Sequence, residues 1–256
     1  MEPMVTVAAT KEISPRFSVG PGSRRFEHLF FSGMALLVLI LVLVGFAKTY
    51  FLAGMFRAPL PNLLIHIHGA AFTCWILLLV TQTSLVSAGR VDIHRSLGIL
   101  GFVLACLMVT LGILAGTNML ARGGPPGQDP QTFYAVVMLD ILLFATVVFL
   151  AFRARKRPDS HKRLVLIATI GLMDAALDRW PVAFLLHRTA VAFLVSYTLL
   201  AVIMIYDLWS IRRIHRATLY GSAIVILLHE ISFPLGRTAV WHTFANWAQH
   251  ISVMRF

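Results

Sequence analysis

The stretch 35–46 reads ALLVLILVLVGF, and it lies in a segment, 28–51, whose one charged side chain is Lys48. A run this apolar is longer than the roughly 20 helical residues that cross about 30 Å of hydrocarbon. Six further segments have the same character: 63–87, 94–120, 132–152, 164–186, 190–211 and 218–235. The fifth is the most polar of the set. The seventh is short and carries His229 and Glu230, so an even number of spans would make it interfacial or re-entrant. Hydrophobic residues make up 58% of the 256-residue chain and charged residues 13%, about half the usual charged share of roughly 25%. Mean hydropathy is +0.81. This excludes a water-soluble enzyme, a nucleic-acid-binding domain and a disordered chain, each of which needs a polar surface. The expected fold is all-α: a polytopic transmembrane bundle of about seven spans. Residues 1–25, with Pro15, Pro21 and Gly22, read as a flexible cytoplasmic tail, and 26–256 as one transmembrane domain.

Net charge is +11. The cations sit in short clusters between apolar runs, as in Arg153, Arg155, Lys156, Arg157, Lys162 and Arg163. Such clusters belong to loops that face anionic lipid, which makes membrane lipid the expected partner and excludes nucleic acid. With the N-terminus inside, inner segments hold 15 of the lysines and arginines and outer segments 7. The asymmetry predicts a multi-pass protein of the plasma (inner) membrane, N-terminus inside. The first apolar run is too long for the core of a signal peptide and reads as a span. Cys74 and Cys106 lie inside apolar runs, where they form neither a disulfide framework nor a thiolate metal cage.

An ionisable side chain near the bilayer centre costs at least about 2.5–3.5 kcal/mol, so those that persist face the bundle interior and have partners. In the second segment His68, Trp75 and Gln82 share a face, with His66 nearly opposite. His68 is either a histidine hydrogen-bonded within the bundle or a metal or haem ligand. The third segment opens DIHRSLGILG, placing His94, Gly98, Gly101, Ala105 and Gly112 on one stripe, which suits close helix packing or the edge of a flat macrocycle. Asp140 lies near mid-depth in the fourth. In the fifth, Asp174 and Asp178 are four apart on one face, with Asp178 and Arg179 expected at the outer interface and Trp180 as a belt aromatic.

Depth sorts these groups. An outer-to-middle set contains His68, Asp140, Asp174, Asp178, His229 and Glu230, a mixture of imidazole and carboxylate that suits a metal, a proton path or a polar cavity. Its candidate metal ligands are His68, Asp174, His229 and Glu230. An inner set, His94 and His161, is either a second haem-type site or a pair of interfacial histidines bonded to loop carbonyls or lipid phosphate.

The stretch 66–101 contains HIHG (66–69), Trp75, Gln82 and HRSLG (94–98), followed later by HKRLVLIATI (161–170) and DRWP (178–181). This pattern resembles uncharacterised bacterial polytopic membrane-protein families. More distantly it is similar to membrane proteins of the cytochrome b561 kind, in which helix histidines bind haem. The resemblance implies haem b, or a transition metal, held by some of His68, His94, His161 and His229, with electron transport to or from a quinone-like small molecule. A proton- or cation-coupled transporter and a cofactor-free accessory subunit remain open beside it. The sequence has no H-E-x-x-H, no histidine box, no glycine-rich phosphate loop and no lysine in the seventh segment, which removes zincins, di-iron desaturases, nucleotide sites and a retinal Schiff base there.

Overall fold

The computed structural model describes residues 21–57, 62–125 and 127–253. Helix α1 (Pro21–Phe46) runs into a π-helical turn, Ala47–Phe51. It is followed by α2 (Leu63–Ser87), α3 (Val91–Ala121), α4 (Pro130–Arg153), α5 (Pro158–Ile170), the single turn α6 (Asp174–Leu177), α7 (Thr189–Ile211), α8 (Arg216–Gly236) and α9 (Ala239–Val253). Among the described residues there is no strand. Six helices, α1 with its extension and α2, α3, α4, α7 and α8, are long and apolar enough to cross a membrane. The chain is therefore an all-helical, multi-pass integral membrane protein, as its apolar runs require. Of the expected tail, residues 1–20 lie outside the described residues, while 21–25 already belong to α1.

Starts and stops follow local chemistry. The Asn62 side chain accepts from Ile65 N at 3.0 Å and opens α2. Asp129 accepts from Thr132 N at 2.7 Å and opens α4, with Pro130 in the first turn, where no amide is needed. Its bonding to Thr132 holds the Asp129 carboxyl below the usual carboxylate range.

The helices define two ends. At one, Glu27 of α1 pairs with Lys162 of α5 at 2.7 Å, Ser32 meets Ser87 at 3.3 Å, and Arg163 of α5 pairs with Asp207 of α7. We call this the basic end, since Arg90, Arg95, the 153–163 cluster and Arg212–Arg216 gather there. At the opposite end Tyr50 donates to the His66 carbonyl, Asn62 to Asn118, and Thr132 to the Gly236 carbonyl.

The fifth apolar segment departs from expectation. The sequence predicts a continuous span over 164–186. Instead α5 has 13 residues, about 20 Å of helix, and ends at Ile170. The chain then passes through turns and α6 before α7 begins at Thr189. Arg163 fixes the start of α5 at the basic end, whereas the Trp180 indole donates to the Leu41 carbonyl in the far half of α1. Residues 158–188 thus run from one end of the bundle to the other as a broken helix. Two close packings hold the break. A Cβ on Gly171 would run into the Leu143 side chain, and one on Gly45 into the carbonyl of Ala176. Non-helical backbone at this depth must be enclosed by protein. Accordingly Met173, Asp174, Ala176, Leu177 and Asp178 are all buried. Asp178, expected at the outer interface, is inside, and the Trp180 ring is tied to α1.

The seventh segment is a regular helix of 21 residues, with Pro234 in its last turn. The glycine stripe of α3 serves packing where it is buried: Gly101 faces Leu78 of α2 and Gly112 faces Ile141 of α4. Helix α9 was not anticipated. It lies across the far ends of α3 and α4, burying Ala245 against Leu120 and Tyr134 and donating from the Trp241 indole to the Gln131 carbonyl at 2.8 Å. Val240, Phe244 and Trp247 stay exposed on its other face. That is the pattern of an interfacial helix.

Candidate functional site

Three groups of ionisable residues turn inward among the described residues, two of them buried and the third half-buried, and they differ in how well they are satisfied. The first is Asp207 on α7. Its Oδ1 accepts from Arg163 Nε at 2.8 Å and Nη2 at 2.6 Å, and its Oδ2 from His215 N at 3.0 Å and Thr218 Oγ1 at 2.5 Å. Arg163 also donates to the Asp159 carbonyl at 2.8 Å. Every charge has a partner, and the group ties together the starts of α5 and α8 and the end of α7. The sequence counted Arg163 as one cation of a loop. Its one signal was Asp207 near the end of an apolar helix.

The second group sits at the break in the fifth segment. Asp140 of α4, Asp174 of α6 and His229 of α8 each offer a ligand atom, and these atoms lie within 4.8 Å of one another. All three residues are buried, His229 almost completely. The helix break delivers Asp174, and it also frees the Gly171 carbonyl, which accepts from His229 Nε2 at 3.2 Å. The same nitrogen lies 3.5 Å from Asp140 Oδ1. Phe193 of α7 stacks on the imidazole at 4.0 Å and 10° and fixes its plane. Asp140 Oδ1 and Asp174 Oδ1 are buried with no hydrogen-bond partner.

The outer-to-middle set is thus assembled in part. Asp140, Asp174 and His229 come together. Glu230 does not join them: it lies one residue, about 100°, further round α8, is exposed, and accepts from Tyr197 Oη at 2.8 Å. His68 is also outside the group. It is half-buried on α2, packed against Phe72 at 4.3 Å, with its Nδ1 buried and unpartnered. His66 is exposed, as its opposite face predicts.

The third group is the inner pair. His94, in the first turns of α3, and His161, in the first turns of α5, approach with ring centres 6.4 Å apart and planes at 78°. His161 Nδ1 is bonded to the Ala151 carbonyl at 2.9 Å, while His94 Nδ1 is buried without a partner. Both line an open-sided cavity of about 860 Å3 bordered by α1 to α5. Glu27, Arg95, Arg155, Lys156 and Lys162 border it at the basic end, and Trp75, Phe102 and Val148 line its apolar depth. Gly98 and Gly101 form part of its wall, and so does Gln82 from the same face of α2 as Trp75. The Trp75 indole donates to Thr169 Oγ1 at 3.1 Å and so is held in the wall.

No protein-family model matches the chain, and no curated protein or solved structure matches it either.

Proposed function

We propose that this protein is a membrane electron carrier that holds haem b in the cavity at the basic end, where His94 and His161 are the residues that would hold its iron. The observation that carries this reading is the pair of imidazoles at 6.4 Å and 78° across a cavity of about 860 Å3. Two imidazoles on opposite sides of one metal, each nitrogen about 2.0–2.1 Å from it, place their ring centres roughly 6 Å apart. The volume falls within the roughly 300–1,000 Å3 of cofactor sites.

The chain's own groups then have defined tasks. The Ala151 carbonyl on His161 Nδ1 sets that ring's tautomer and leaves Nε2 bare for a metal. Gly98, where a Cβ would meet nothing closer than Gln82 at 3.8 Å, gives a flat macrocycle room beside α3. The apolar depth of the cavity takes hydrocarbon, and the bordering arginines and lysines suit carboxylate groups at its mouth. Bound haem supplies a one-electron couple whose potential follows its two imidazole ligands and its enclosure. The reading counts 158–188 as the fifth of seven crossings and turns the basic end to the cytoplasm, in the plasma membrane. The electron partner on this reading is a quinone-like small molecule of the same membrane.

The test is an absorption spectrum of detergent-purified protein from haem-replete cells. One haem per chain is expected, with a Soret band lost in both His94→Ala and His161→Ala. A colourless but monodisperse and fully helical wild type, even after haem is added back, overturns the reading.

A further inference from the structure

We propose that Asp140, Asp174 and His229 form a closed site for one divalent transition-metal cation of the zinc, manganese or iron(II) kind. The site is separate from the histidine cavity, and the proposal stands whether or not haem is bound there.

Spacing supports it first. Two donors on one such ion, each about 2.0–2.2 Å from it, are separated by roughly 3–3.5 Å. His229 Nε2 and Asp140 Oδ1 already stand 3.5 Å apart, and Asp174 brings a third ligand atom within 4.8 Å of both. The Gly171 carbonyl, released by the end of α5, lies 3.2 Å from the same imidazole nitrogen; when an ion binds, the ring proton moves to Nδ1, Nε2 turns its lone pair to the ion and the carbonyl supplies a fourth donor. The three side chains come from three elements, and the broken helix orients two of the four donors.

Charge supports it independently. Two carboxylates and a neutral imidazole balance a divalent ion and leave the buried site electroneutral. Without a cation, two carboxyl groups face each other in an apolar setting that makes ionisation costly. No arginine or lysine ion pair reaches either carboxylate among the described residues. Buried polar atoms are ordinarily satisfied, and here Asp140 Oδ1 and Asp174 Oδ1 have no protein donor. Asp140 and Asp174 lie within hydrogen-bond reach of each other; ionised, their oxygens only accept, and one cation then satisfies both at once. The donor set itself narrows the ion: imidazole with carboxylate suits zinc, iron or manganese better than magnesium or calcium, which prefer all-oxygen cages.

The experiment uses the full chain purified in detergent, stripped with chelator, then dialysed against Zn2+, Mn2+ or Fe2+ and analysed for retained metal. One ion per chain is expected for at least one of the three. Asp140→Asn and Asp174→Asn should each cut retained metal at least about tenfold, since each removes an anionic ligand of similar shape. The same metal should raise the thermal midpoint of the wild type and leave both variants unchanged. His94→Ala and His161→Ala should retain metal as the wild type does, which separates this result from any failure of the haem reading. A monodisperse, helical wild type that retains no more metal than a buffer control overturns the proposal, and so do Asn variants that retain the wild-type amount.

Discussion

Asp207 and Asp174 are both buried carboxylates in an apolar bundle, and their surroundings are opposite. Asp207 receives four hydrogen bonds, two from a buried guanidinium. Asp174 has an oxygen with no donor, and its neighbour Asp140 has another. The first arrangement is complete as it stands and joins three helix ends. The second leaves one oxygen on each of two neighbouring carboxyl groups without a protein donor. Burial of charge alone does not set the two places apart; the number of protein partners does.

The largest test of this contrast is removal of charge from each aspartate in turn. Asp207→Asn strands Arg163 in the interior, and breaking one side of a buried ion pair costs about 3–5 kcal/mol. Asp174→Asn strands nothing, so in chelator-treated protein it should unfold no earlier than the wild type. Thermal melts of both variants in one detergent check the pair. Equal losses would erase the distinction drawn here.

A smaller effect is expected at the break itself. Gly45→Ala places a methyl group against the Ala176 carbonyl, and both are backbone-close. Overpacking of this kind costs about 1–3 kcal/mol. Because the displaced turn holds Asp174, the variant should also lose metal affinity while leaving the cavity histidines untouched. Retained metal at wild-type levels would mean that the turn is not held by α1.

The smallest effect concerns the satisfied end. His215 accepts from Ala217 N at 3.1 Å through Nδ1 and so caps α8. Burial, and then the nearby Arg163, hold its imidazole below the ordinary range. The folded state therefore favours the neutral ring. Its contribution is full above the unfolded-state value of about 6.5 and falls away as pH drops below it. His215→Asn keeps a capping oxygen that does not titrate. The thermal midpoint of this variant should change less than that of the wild type between about pH 7.5 and 5.5. An identical pH dependence in both proteins would remove His215 from the account.

Much of the bundle was legible because lipid imposes one simple demand. A segment that must satisfy its backbone alone and present hydrocarbon outward has to be a long apolar helix, and six such helices are present. The fifth segment escaped that logic. Its break depends on Gly45, Leu143 and His229, which are distant in sequence, so no local pattern announced it. Helix α9 escaped because 15 amphipathic residues fall below membrane length, although Trp241, Ala245 and Ala248 recur at helical spacing. The expensive residues were legible as expensive, and Asp174 and His229 did meet. Their companion was Asp140: Glu230 points about 100° away from His229 on the same helix, and His68 lies on α2 against Phe72. His94 and His161 shared a depth in the sequence, and the antiparallel course of α4 and α5 turned that shared depth into contact.

The interrupted helix also bears on how the chain enters the bilayer. At the centre of a translocating helix, Asp and Arg each oppose insertion by about 2.5–3.5 kcal/mol. The segment after Ile170 carries Asp174, Asp178 and Arg179 within six residues. It cannot leave the translocation channel for lipid by its own hydrophobicity. Its cost is offset by packing against α1 at Gly45 and against α4 at Leu143 and Asp140.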